Sequence, residues 1–198
     1  MKGDLKMNFV EPFRDKQKIL AIKKLLREEK SPRNYLIFTL GINSALRASD
    51  LLRAKVGDLL TDSGDIKEYL YVKTKKTGRE LKIYINENMQ KAIKLYIERE
   101  PSLDPDDWLF YSKRNRDRAI SRIRLWVLIR RWAKLVNLNE ERFGCHSLRK
   151  TWGYHARLGG FDIETIRKKL GHRNSEVTKT YLGISQEEIN SMEKSLNI

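Results

Sequence analysis

Ile19, Ile22 and Leu26 recur at three- and four-residue intervals between lysines, the spacing that gathers apolar side chains on one face of a helix. Pro32 interrupts that run, and a more apolar stretch from Tyr35 to Leu46 follows, so the pattern predicts two helices with the second largely buried. Beyond Leu52 the period changes. Tyr69-Leu70-Tyr71-Val72 and Leu81-Lys82-Ile83-Tyr84-Ile85 are rich in aromatic and β-branched residues and are joined through Lys75-Lys76-Thr77-Gly78. They predict an antiparallel hairpin with Lys76 near its tip. Helical periodicity returns from Asn88 to Glu98, and Pro101 with Asp104-Pro105-Asp106 marks a loop before Trp108-Leu109-Phe110. The expected fold class is α+β, mainly α-helical with a small antiparallel β-sheet.

From Ala119 to Val136 a second helical stripe emerges. At 100° per residue, Leu125, Trp126, Ile129, Ala133 and Val136 fall in an arc of roughly 100°, while Arg124, Arg130, Arg131 and Lys134 occupy much of the other side. Arg122 falls inside the apolar arc, so either the helix begins later or that side chain snorkels outward. The basic side can meet phosphate and is a candidate face for a nucleic acid or other polyanion; a solvated face of no consequence is the competing reading. Trp126 and Trp132 read as core or edge packing rather than as platforms for stacked bases.

Composition narrows the partners. A chain of 198 residues suits one compact domain. Its 41 Lys and Arg against 26 Asp and Glu give a formal charge of +15, an excess that points to a polyanion. The stretch from Lys113 to Lys134 concentrates it, with nine Lys or Arg and one acid, Asp117. The longest apolar run, about Tyr35 to Ile42, is far too short to span a bilayer, and Lys2, Asp4 and Lys6 break up any secretory apolar segment. We therefore expect no membrane partner and a place in the cytoplasm. Cys145 is the single cysteine, and no Cys/His cluster has zinc-site spacing, so neither a disulfide nor a metal is expected.

The candidate chemistry centres on Tyr181, nine residues after His172. A phenol with a pKa of about 10 is a poor nucleophile at neutral pH and needs cations and a proton acceptor around it. Arg47, Lys76, His146, Arg149 and His172 could supply them. Ser49 can cap a new helix with Asp50 in its first turn, which would set Arg47 at a helix junction. His146-x-x-Arg149 stacks an imidazole and a guanidinium on one helical face, with β-carbons about 5–6 Å apart. Singly, each has a plain structural explanation: a surface ion pair for Arg47, a turn residue for Lys76, a helix cap for His172, core packing for Tyr181. Specificity lies in their order and spacing.

That ordered set resembles the catalytic domain of the tyrosine recombinases, the phage-integrase family. The likeness runs from about Ile37 to Gly183 and is carried by Ala45-Leu46-Arg47-Ala48-Ser49-Asp50-Leu51-Leu52, His146-Ser147-Leu148-Arg149-Lys150-Thr151, and Leu170-Gly171-His172 through Thr180-Tyr181-Leu182. The resemblance implies that fold and a metal-free, cofactor-free reaction on double-stranded DNA. Arg47 and Arg149 would grip the scissile phosphate, and Tyr181 would attack it to leave a 3′-phosphotyrosyl bond and a free 5′-hydroxyl. Lys76 would protonate the leaving oxygen, with Lys75 its near rival. His146 would serve as base and His172 would donate a hydrogen bond to the phosphate. It further implies a monomer when free and a tetramer at synapsis, passing through a Holliday junction.

Some features depart from the family pattern. About 35 residues precede the catalytic fold, so the N-terminal DNA-clamping domain of most relatives is expected to be absent. That leaves open a natural single-domain recombinase or a piece of a longer protein. Lys150 and Tyr84 stand where relatives often carry His and Pro, and neither position is expected to touch the mechanism. A straight helix from His172 would carry Tyr181 about 13 Å away, so the chain must bend back or give its tyrosine to a neighbour. Ile184, Ile189, Met192 and Leu196 form a loose apolar strip for docking a neighbouring subunit. Two other functions remain open: a DNA-binding regulator that keeps the fold without turnover, and relaxation of supercoiled DNA by a type IB topoisomerase-like route.

Overall fold

The structure, a computed structural model, describes residues 10–75, 78–100 and 102–183 together with Asn190 and Lys194. Helix α1 (Lys16–Glu28) starts at Asp15, whose carboxylate accepts from the Gln17 amide, and turns Ile19, Ile22 and Leu26 inward. Helix α2 (Pro32–Ser44) opens on a proline, which suits a first helical position because the missing N–H would have no partner there. It is buried nearly all round, as a central helix should be, and packs against α1, α4 (Glu87–Arg99) and α6 (Cys145–Leu158). Phe38 of α2 meets the edges of Phe13 and Trp132 at ring-centroid distances of 5.6 and 5.5 Å, which ties the N-terminal segment and the helix carrying Trp132 to the same core.

The expected hairpin is present. Strands β1 (Tyr69–Lys73) and β2 (Glu80–Tyr84) pair antiparallel with Leu70 opposite Ile83 and Val72 opposite Leu81. Gly78 takes a left-handed φ of 65° beside its turn. A second antiparallel hairpin, β3 (Tyr111–Ser112) with β4 (Asn115–Ala119), was not legible in the sequence because β4 is polar and almost wholly exposed.

Two local expectations need correction. The short helix α3 (Ala48–Leu51) begins one residue before Ser49: the Arg47 carbonyl accepts from the amides of Asp50 and Leu51, so Arg47 is the capping residue and Ser49 lies within the helix. Helix α5 (Arg122–Leu135) starts later than Ala119, with Ser121 accepting from the Arg124 amide, which leaves Arg122 exposed at its first position. Its buried stripe is Leu125, Leu128, Ile129, Trp132 and Ala133, rotated from the arc read off the sequence, so Trp132 is in the core at 1% exposure while Trp126 is 41% exposed. No helix among the described residues is long and apolar enough to cross a membrane.

Candidate active site

Helix α6 sets the site from below. Its N-terminus is fastened by Gly144, whose amide donates to Ser147 Oγ at 3.0 Å, and its first two turns carry His146 and Arg149. Arg149 is 4% exposed, and its Nη2 donates to the carbonyl of Leu170. That carbonyl ends α7 (Ile163–Leu170), where helix geometry leaves it without an intrahelical partner. The arginine is thereby fixed before any ligand arrives. Burial pulls its pKa down to about 10, opposed by Tyr181.

The chain bends back on itself at the point where a straight helix would have failed. Gly171 adopts a left-handed φ of 62°, the His172 amide donates to the Arg167 carbonyl, and Arg167 Nη1 donates to the His172 carbonyl at 2.7 Å. A new helix, α8 (Ser175–Leu182), then starts from Asn174, whose side chain accepts from the Val177 amide. The His172 and Tyr181 rings end edge to face, 4.9 Å between centroids, and the His146 ring lies 6.4 Å from Tyr181. Tyr181 is thus brought to the cations of its own chain.

Close approach of α8 to α6 depends on Gly153. A β-carbon there would lie 2.6 Å from Leu182 Cδ2 and 3.7 Å from Leu170 Cδ1. Leu182, Leu170, Ile166 and Ala45 form a small apolar cluster of their own, with Tyr181 on its margin.

The Tyr181 hydroxyl is buried and makes no hydrogen bond of regular geometry among the described residues. Burial pushes its pKa up to about 12, and Arg149 and then Arg47 pull it the other way. His172 is held down to about 4, by burial first and then by Arg149 and Arg47. Its Nδ1 lies 3.1 Å from Oγ1 of the fully buried Thr178. His146 is also held below its usual value, by burial and then by Arg149, Arg122, Lys150 and Arg47. Both imidazoles are consequently neutral at pH 7.

Arg47 faces this group from the α2–α3 junction, reached through Ala45 at a left-handed φ of 60°. Three residues on, the buried Asp50 accepts from the Lys75 amide at 3.0 Å and tethers the β1–β2 hairpin beside α3; its charge also bears on Arg149. Lys76 lies outside the described residues, as do Ile184, Ile189, Met192 and Leu196. Lys75 is described, with its side chain exposed.

Lys150 requires a revision of the sequence reading. It is 5% exposed, and its Nζ lies 5.0 Å from the centre of the Tyr181 ring, so a position set aside as remote is against the candidate nucleophile. Burial, then Arg14, holds its pKa down to about 8 against the opposing pull of Glu11. Asp50, Lys150 and Thr178 are the neighbours that sequence reasoning missed; each meets the site through tertiary packing.

Three of the four basic candidates on α5 have local partners. Arg131 pairs with Glu29 at 2.6 Å and Lys134 with Glu140 at 3.9 Å, while the Arg130 guanidinium sits 4.6 Å from the Trp126 ring centre. Arg124 stands apart, lining a cavity beside the β3–β4 hairpin.

Comparison with known proteins bears on family and fold. Residues 13–188 match the model of the phage integrase family. The chain belongs to that family, among its tyrosine-type site-specific recombinases. It is similar to a probable integrase/recombinase, YoeC, of Bacillus subtilis strain 168, with 35% identity over 181 residues that cover 91% of this chain and 93% of that one. It is also similar to the tyrosine recombinase XerC of Caldanaerobacter subterraneus subsp. tengcongensis, with 32% identity over 173 residues, 84% of this chain and 46% of the relative. The chain therefore spans nearly all of the first and about half of the second. Its fold matches the crystal structure of XerA recombinase with a TM-score of 0.73 at 19% identity, over 96% of this chain and 64% of that one. A XerH site-specific recombinase bound to palindromic difH substrate in a post-cleavage complex also gives 0.73, at 16% identity, over 93% and 52% respectively.

Proposed function

We propose that this chain cuts and rejoins double-stranded DNA at specific sites through a covalent bond between Tyr181 and a 3′-phosphate. The observation that carries the reading is the Tyr181 hydroxyl, buried without a regular hydrogen-bond partner and facing Arg149 and Arg47 beside two neutral imidazoles. Its close polar contact among the described residues, to the Arg149 guanidinium, is of irregular geometry, which leaves the buried hydroxyl and the guanidinium free to meet an arriving anion. The DNA-bound states of structural neighbours, among them XerH on its difH substrate, support a phosphodiester as that group.

In the reaction, Arg47 and Arg149 bind the two non-bridging oxygens and stabilise the charge that grows as phosphorus becomes five-coordinate. The phenol proton passes to His146, whose depressed pKa keeps it in the accepting form at pH 7. The Tyr181 oxygen bonds to phosphorus, the bond to the 5′-oxygen breaks, and Lys76 protonates that oxygen. Thr178 Oγ1 lies 3.1 Å from His172 Nδ1 and 3.4 Å from the Asn174 carbonyl; donation of its one proton to Nδ1, the shorter contact, would put the proton of neutral His172 on Nε2, where it can donate to the phosphate. The reverse sequence reseals a strand. Bond energy is retained in the phosphotyrosine, so the cycle takes no nucleotide cofactor, and the two phosphate-gripping arginines take the place of a metal. Exchange between two sites proceeds in a tetramer through a Holliday junction, and the protein works in the cytoplasm as a monomer until it meets DNA.

A nicked suicide duplex carrying the target site tests this. Wild type is expected to form a protein–DNA adduct that resists denaturation, and Tyr181→Phe to form none. Binding at saturation without an adduct would favour a regulator, and relaxation of a plasmid with no exchange of flanks would favour the topoisomerase-like route.

A further inference from the structure

Arg33 lies in the first turn of α2, at the opposite end of that helix from Arg47, and is 7% exposed. Its Nη1 donates to the Tyr111 carbonyl at 2.8 Å, and its Nε and Nη2 donate to Asn34 Oδ1 at 3.4 and 3.1 Å. A guanidinium has five N–H donors, so two are left over among the described residues. No carboxylate forms an ion pair with it there. Glu100, whose charge reaches it, accepts from Tyr111 Oη at 2.8 Å and pairs with Arg116 at 3.9 Å. A cation taken out of water without a counter-ion is electrostatically unfavourable, and burial holds this guanidinium below its usual pKa.

Arg33 lines a cavity of about 610 Å³ between the β3–β4 hairpin and the first turn of α5. Lys113, Arg114, Arg118 and Arg124 line it too, no acidic side chain does, and none of the five cations forms an ion pair among the described residues. Ser121, the cap of α5, is on the rim, so the positive end of that helix dipole adds to the field. Small-molecule cavities carry only a few placed polar groups; this one brings five cationic side chains together and suits a phosphate-bearing polyanion. The first turn of α5 joins it to the active site. Arg122 bears electrostatically on His146, and Arg124, two residues on, lines the cavity.

We propose that this cavity holds an uncut backbone phosphate of the DNA duplex and so fixes the register in which the scissile phosphate meets Tyr181. The proposal rests on the DNA reading above and adds a second point of contact. Phosphate contacts of this kind set position without reading bases.

Salt dependence of binding to a 30-base-pair duplex tests it. The variant Arg118→Gln/Arg124→Gln removes two exposed cavity cations, and Lys91→Gln/Lys94→Gln removes the same charge from the outer face of α4. Loss of one phosphate contact is expected to lower the slope of log K against log salt by about 1 and the affinity about tenfold near 0.1 M salt, with a smaller change for the α4 variant. Equal effects of the two variants would overturn the proposal. So would saturable binding of tripolyphosphate that the cavity variant abolishes while its DNA slope stays at the wild-type value, which would make a free polyphosphate the ligand. If wild type forms the Tyr181 adduct while the slopes agree, only the cavity proposal falls; if wild type neither binds DNA nor forms an adduct, the DNA reading falls with it.

Discussion

Thr178→Val isolates the step by which a fully buried hydroxyl sets the proton of a candidate catalytic imidazole. Valine keeps the branched shape, so α8 should retain its packing, while the 3.1 Å contact to His172 Nδ1 and the longer, 3.4 Å one to the Asn174 carbonyl are lost. An ordinary hydrogen bond contributes about 0.5–1.5 kcal/mol net, and His172 is half-buried, so about 1 kcal/mol is a fair figure for what holds the ring in one tautomer. Without it, the donating form loses that preference, and the rate of adduct formation should fall about fivefold. Removing the ring altogether, in His172→Ala, deletes the donor and should cost about 10²- to 10³-fold. The assay is single-turnover adduct formation on the suicide duplex for wild type, each single variant and the pair. If Thr178 acts through His172, Thr178→Val has no further effect once the imidazole is gone. A fivefold loss that persists in the His172→Ala background would refute the argument and assign Thr178 a packing role.

Three further outcomes follow from the geometry. Gly153→Ala places a methyl 2.6 Å from Leu182 Cδ2, so overpacking should destabilise the protein by about 1–3 kcal/mol and slow adduct formation by shifting Tyr181, with Leu182→Ala restoring both; an unchanged rate and melting temperature would contradict this. His172 has a folded pKa of about 4 against about 6.5 when unfolded, so the stability it permits is complete above pH 6.5 and is lost as pH falls from 6.5 through 4. The melting temperature should therefore drop more across that window in wild type than in His172→Gln. Asp50→Ala removes a charged acceptor from the Lys75 amide and should lower stability by about 1.5–3 kcal/mol along with adduct yield, whereas Asp50→Asn, which keeps an acceptor, should lose less of both; equal losses would separate the hairpin tether from the chemistry.

Much of this was legible in the sequence where local periodicity is strong. Ile19, Ile22 and Leu26 fixed the inner face of α1, and the alternation through Leu70, Val72 and Ile83 fixed the first hairpin. The second hairpin escaped notice because it is held by contacts its own residues do not advertise, such as the Trp108 indole donating to the Asp117 carbonyl at 2.9 Å. Arg47, His146, Arg149, His172 and Tyr181 could be picked out by order and spacing, but not how the last two meet, which turns on the left-handed backbone at Gly171. The environment of the tyrosine was hidden altogether: Lys150 is 31 residues from it in the chain, and only the packing of α8 on α6 brings the two together. On α5 the helical wheel sorted apolar from basic residues but could not foresee that Glu29 and Glu140 would occupy Arg131 and Lys134.

The bond from Arg149 to the Leu170 carbonyl bears on how an inert reference protein should be made. The same guanidinium that would grip the phosphate also terminates the helix leading into His172, so deleting it removes a girder along with a reagent. A silent Arg149 mutant would thus say little about chemistry, and the trustworthy blank is Tyr181→Phe, which takes away one oxygen and leaves the framework standing.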